Sequence, residues 1–140
     1  MAVQAELGWT DGLQFIGRVD GGPAVVIDTA ESGSGAGPMG LILMGVGGCA
    51  AMDVVSILKK RRSSFTALKV NVSGERAPEH PRRYTRIRIE FVVVGRGVKP
   101  RDVERAISLS MTRYCSAVAS LTAEVTHTYR IVEDERDTEL

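Results

Sequence analysis

This 140-residue chain lacks an excess of either charge: 18 lysines and arginines face 17 aspartates and glutamates, a formal net charge of +1. No general attraction to nucleic acid or acidic lipid follows from that balance. Histidine is scarce. His80 falls in a turn segment and His127 in a strand segment, neither with a partner at zinc-site spacing, so no metal is expected. The Gly-rich segment Gly33–Gly37 lacks the Lys-Ser/Thr ending of a phosphate loop. Ser63 and Ser64 lack the setting of a nucleophile elbow. There are no internal repeats. The opening MAVQAELGW has no basic region followed by an apolar core, so no secretory signal is read and a cytoplasmic location is expected. Cysteine is limited to Cys49 and Cys115. In a reducing compartment such a pair is read as free, catalytic or redox-active before it is read as a structural staple. A chain of this length buries roughly 70% of its unfolded surface, so one domain over 1–140 is predicted, stable without a disulfide or a metal.

What the chain has is one long apolar run, Pro38 to Arg62. Pro38 suits a first helical turn, and Lys59, Lys60, Arg61 and Arg62 suit a last one. Leu41, Ile42, Leu43, Met44, Val46, Met52, Val54, Val55, Ile57 and Leu58 leave almost no polar face. A helix apolar all round is predicted to be enclosed, at the core and at a subunit interface, because one small domain rarely covers every side. Its length approaches that of a membrane span. Asp53, three glycines and the preceding polar loop argue against a span, and no membrane is expected. Gly45, Gly47 and Gly48 each cost about 1 kcal/mol relative to alanine in a helix, which predicts a close backbone neighbour just before Cys49.

The remaining segments place this helix in an α+β order. Residues 3–9, 13–19 and 24–28 read as an antiparallel meander with Asp-Gly turns, with Trp9 and Phe15 on its apolar face. Residues 29–37 read as a flexible loop. The alternating runs 65–76 and 83–94 predict a hairpin with one wet face. A second helix is predicted over 100–114, with Val103, Ala106, Ile107, Ser110 and Tyr114 along one side. A helical turn over 116–121, a strand over 122–132 and a charged tail over 133–140 complete the order, which is not that of a doubly wound parallel sheet.

Taken alone, the two cysteines admit a structural reading as buried small hydrophobes beside the redox one. The segment GPMGLILMGVGGCAAMDVVSILKKRR resembles the central helix of the OsmC/Ohr family, in which a proline opens the helix and Gly-Gly-Cys delivers a reactive thiol. ERAISLSMTRYCSAVASL resembles the family's second-cysteine segment, and VNVSGERAPEHPRRYTRIRIEFVVVGRGV the hairpin between them. The resemblance covers nearly the whole chain and is strongest towards the OsmC-like branch. It implies an intertwined homodimer around paired central helices, acting as a thiol peroxidase on organic hydroperoxides without metal, haem or flavin. By this match Cys49 is the peroxidatic cysteine and Cys115 the resolving one, with an external dithiol as reductant. Gly40 stands where the family often has a glutamate that positions an activating arginine, and Ser116 where it often has proline.

The chemistry sets a requirement. Cysteine attacks an O–O bond as thiolate, and at an unperturbed pKa only about 3% of it is thiolate at neutral pH. Cys115 falls at a helix start, where the dipole favours thiolate. Cys49 falls mid-helix, with Asp53 one turn on working against it, so a cation must come from elsewhere. Arg18 is the candidate. Two rival readings remain: a non-catalytic dimeric module of the same fold that binds a small apolar ligand at the subunit interface, and a nucleic-acid or partner-binding domain using the basic helix end. The near-neutral charge speaks against the second of these.

Overall fold

The computed structural model describes residues 1–139, which fall into two compact units, Met1–Ile42 and the chain from Leu43 onward. The first unit is the expected meander. β1 (Ala5–Asp11), β2 (Gln14–Val19) and β3 (Val25–Ile27) form an antiparallel sheet in the order β1-β2-β3. Trp9 pairs with Phe15 across β1 and β2. The apolar face is uncovered, however: every residue of β1 is exposed, and Trp9 retains 67% of its surface. The Gly/Ser loop is more ordered than its composition predicts. Asp28 accepts hydrogen bonds from the Ser34 hydroxyl and the Thr29 N–H, which lowers its pKa, and Ile27 forms a parallel bridge to Ala36.

The helix α1 (Pro38–Lys60) appears as predicted, closed by Lys59 and Lys60 in its last turn. By length and composition it could cross a membrane. Over the second unit it serves as a core helix, burying Val46, Ala50, Val54 and Leu58. The sheet beneath it has the order β4-β5-β6, from β4 (Ala67–Arg76), β5 (Tyr84–Val94) and β6 (Glu124–Val132). β4 and β5 form the antiparallel hairpin, and β6 joins β5 in parallel after a helical crossover. The hairpin is wet on one face only through its first half. Val92, Val93 and Val94 are all buried, where a 3-10 turn at Glu135–Glu139 packs on β5 and β6. That turn replaces most of the expected charged tail; Leu140 lies outside the described residues.

Within a single chain one side of α1 stays open: Met44 and Met52 are 62% and 76% exposed and Gly45 has open space where a Cβ would stand, in keeping with the expectation that one small domain does not cover every side. Two further expectations are corrected. Of the three glycines only Gly47 meets a close neighbour, and that neighbour is a side chain: an added Cβ would lie 2.6 Å from Val72 Cγ2. The second helix also ends early. α2 (Pro100–Leu109) gives way to a π-helical turn, Ser110–Tyr114. The extra residue in that turn shifts the helical phase. Ser110 stays buried on the predicted face, while Tyr114 swings out to 49% exposure.

The end of α1 is tied to the start of α2. Arg61 Nε donates to Asp102 Oδ1 at 2.7 Å, and the Asp102 side chain is 10% exposed. Arg61 itself stays exposed, its side chain at 42%, so the pair sits at the edge of the core and the basic end of α1 remains in solvent. The fully buried Leu58 lies one turn before Arg61. Leu58→Ala is expected to lower unfolding free energy by about 2–5 kcal/mol, measured as a reduced urea midpoint at unchanged slope.

Candidate functional site

Cys49 stands at the middle of α1, partly buried, and Asp53 follows four residues later. Side chains at i and i+4 share a helix face, so the thiol and the carboxylate point to the same side. Cys115 arrives by another route. The π-helical turn closes with its backbone N–H donating to the Ser110 carbonyl at 2.8 Å. The chain then turns extended at Cys115 (φ −74°, ψ 96°) before the short helix α3 (Ser116–Ala119). Ser110, fully buried, donates its hydroxyl to Asp53 Oδ2 at 2.8 Å. That bond joins residues 57 positions apart and holds the turn against α1.

The outcome is a cluster. The two sulfurs and one Asp53 carboxylate oxygen all lie within 4.8 Å of one another. Both cysteines are free thiols. A disulfide needs sulfurs about 2.05 Å apart, so closing the bond takes a movement of about 3 Å at most. Exposure is unequal: Cys49 is half-buried, and Cys115 is 4% exposed. An oxidant from solvent meets Cys49 first.

The electrostatics differ from expectation. The helix start was expected to favour the Cys115 thiolate, but its pKa is raised above the ordinary 9.0. Burial is the largest cause, and the neighbouring Cys49 sulfur and the Asp53 charge add to it; only the Val118 N–H acts in the opposite direction. A helix of four residues has too few aligned peptides to offset desolvation. Cys115 is therefore held as a neutral thiol. Arg18 lies on β2 in the N-terminal unit, exposed, with Nη1 donating to the Gly22 carbonyl at 3.2 Å. In the sequence Asp53 reads as an adverse charge one turn from Cys49, and Ser110 as part of a helix face; the bond between them spans 57 positions and has no local signal.

An α+β chain with a long core helix, a parallel-closed hairpin sheet and two converging thiols defines a class, and the comparisons name it. The family described as OsmC-like protein matches residues 31–130, and the chain belongs to that family. Protein YhfA of Escherichia coli strain K12 is 39% identical over 132 residues, spanning 93% of this chain and 98% of that protein. The crystal structure of a hypothetical protein from Aquifex aeolicus superposes with a TM-score of 0.86 at 28% identity, over 96% of this chain and 99% of that one. The organic hydroperoxide resistance protein OhrB of Bacillus subtilis shares the fold at a TM-score of 0.61 and 13% identity, covering 94% and 98%.

The sign of the Asp53 effect is open to direct test. In a Cys49→Ser background, Asp53→Asn is expected to move the Cys115 thiolate midpoint to lower pH, followed by thiolate absorbance. An unmoved midpoint would show that the carboxylate does not act on this sulfur.

Proposed function

We propose that this protein is a cytoplasmic, homodimeric thiol peroxidase that reduces organic hydroperoxides in oxidative-stress defence, with Cys49 as nucleophile and Cys115 as resolver. The observation that carries the reading is the convergence of an accessible and a buried thiol, from separate segments, within 4.8 Å. Membership of a family that includes hydroperoxide reductases, and a shared fold with a protein named for organic hydroperoxide resistance, support it. The Cys49 thiolate attacks the distal peroxide oxygen, the O–O bond breaks, and the alkoxide leaves as alcohol after taking a proton. Cys49 becomes a sulfenic acid. The Cys115 sulfur then attacks the Cys49 sulfur, water leaves, and a disulfide forms. An external dithiol returns both thiols by exchange. Arg18 is the proposed activating cation for Cys49, and removing it should slow the first step while leaving the disulfide step intact.

A second copy of the chain is the natural cover for the exposed apolar surfaces. The N-terminal meander leaves Leu7, Trp9, Leu13 and Val25 exposed, and three strands cannot hold a core alone. The outward stripe of α1 holds Met44, Gly45, Gly48 and Met52, with open space at both glycines. Sedimentation equilibrium is expected to give twice the 15.1 kDa chain mass. Gly48→Ala, which would add about 1 kcal/mol of helix propensity in a lone chain, should instead weaken the dimer. A monomer stabilised by that change would remove the dimer from the proposal.

One observation favours a non-catalytic reading. The N-terminal unit holds a cavity of about 550 Å³ lined by Leu7, Leu13, Phe15, Ile27, Leu41 and Ile42, a size suited to a small apolar ligand. Oxidation separates the two readings. One equivalent of cumene hydroperoxide should consume both thiols, with the intact mass falling by two hydrogens. Cys49→Ser should abolish this reaction, and Cys115→Ser should leave sulfenic or sulfinic acid on Cys49. Thiols that survive excess hydroperoxide would decide for the ligand-binding module.

A further inference from the structure

The donors at the cluster suit a second guest besides a hydroperoxide. The two sulfurs and a carboxylate oxygen of Asp53 lie within 4.8 Å of one another. Two thiols and a carboxylate are, in chemical type, a ligand set for a thiophilic divalent ion, with zinc–sulfur bonds near 2.3 Å and zinc–oxygen bonds near 2.0–2.2 Å. The scaffold is also of the right form. Cys49 and Asp53 stand at i and i+4 on α1, the spacing by which one helix offers two ligands to a single ion. Cys115 completes the set from across the crossover. Tetrahedral ligation would bring the donors to roughly 3.5–3.8 Å apart. They already lie within 4.8 Å, so a contraction of about 1 Å suffices. Ser110 donates to Asp53 Oδ2 at 2.8 Å. That bond holds one carboxylate oxygen and leaves the other free, as an outer-shell partner does for a ligating carboxylate.

We propose that the reduced Cys49–Asp53–Cys115 cluster is a site for a divalent metal ion of the zinc class, with three protein ligands and one open position. On binding, each thiol releases its proton to solvent and each sulfur donates a lone pair to the ion. No electron changes hands. Both sulfurs are then engaged, so metal and disulfide exclude one another: the ion shields the thiols from hydroperoxide, and two-electron oxidation to the disulfide expels it. Metal binding itself needs only reduced thiols and stands apart from the peroxidase reading.

The test uses the whole reduced chain, titrated with Cd²⁺ for its thiolate charge-transfer absorption and then with Zn²⁺ in competition. One ion per chain is expected, carrying the absorption of two thiolates, and the disulfide form should take none. Cys49→Ser and Cys115→Ser should each weaken binding by at least about 100-fold, and Ser110→Ala by about 10-fold, in the range known for loss of an outer-shell partner. Asp53→Asn, nearly isosteric and therefore the safer variant for folding, should weaken it by about 10-fold or more. Absence of the charge-transfer band, retained binding in the Cys49→Ser, Cys115→Ser double variant, or an Asp53→Asn protein that binds as the wild type does would each overturn the site. Rapid thiol loss to cumene hydroperoxide in a protein that takes no metal would leave the peroxidase standing and remove this proposal alone.

Discussion

The hydrogen bond from Ser110 to Asp53 is the constraint on which the site depends. Ser110 has no exposed surface and its hydroxyl reaches a carboxylate on α1. An unpaired hydroxyl there would carry the cost of a buried unsatisfied polar group, about 1–3 kcal/mol. The π-helical turn begins at this residue and ends by handing its N–H bond to Cys115. With the turn anchored, the second sulfur has little freedom in where it arrives. A regular α-helix through the same residues would have kept Tyr114 on the buried face. The inserted residue turns Tyr114 outward and places Cys115 beside Cys49.

The consequences for reactivity run in two directions. Placing two sulfurs and a carboxylate together in a partly buried site makes the negative form of the Cys115 thiol unfavourable. Burial is the main reason that the Cys115 pKa rises, and Asp53 contributes. A resolving thiol loses little by being neutral until it attacks, because the sulfenic sulfur is held close to it. A nucleophilic thiol has the opposite need. The same carboxylate that hinders a lone thiolate becomes an asset once a cation enters, since total charge then falls towards neutrality. The proposed redox cycle and the proposed metal capture would thus compete for one arrangement of donors.

The surfaces left open by a single chain carry the same logic outward. α1 packs on one side against β4, where Gly47 lets Val72 approach. Its other side shows Met44, Met52 and two uncrowded glycines. Three glycines in one turn weaken a helix by about 3 kcal/mol in propensity, and only one is accounted for by packing within the chain. The N-terminal meander, by itself, also leaves apolar side chains exposed. The proposed second copy would be one occupant for both.

How much was legible depended on the range of the interaction. Local rules located the meander, the hairpin, both main helices and the closing strand to within a few residues, because turn glycines, helix-opening prolines and alternation act over a few positions. The pattern around Cys49 and Cys115, read with the resemblance, pointed to both thiols. Three things lay beyond it. The parallel pairing of β6 with β5 is a choice of neighbour, which periodicity does not encode. The π-helical turn answers to a buried serine and a carboxylate 57 residues away. The raised pKa of Cys115 reverses a local dipole argument, because desolvation depends on what the rest of the chain packs around the sulfur. By itself, then, the sequence determined which segments are helix or strand and which residues bear sulfur, since those follow from nearest-neighbour stereochemistry. Only the tertiary structure decided that the sulfurs share a site with Asp53 and in what charge environment, since proximity and desolvation arise from contacts between distant parts of the chain.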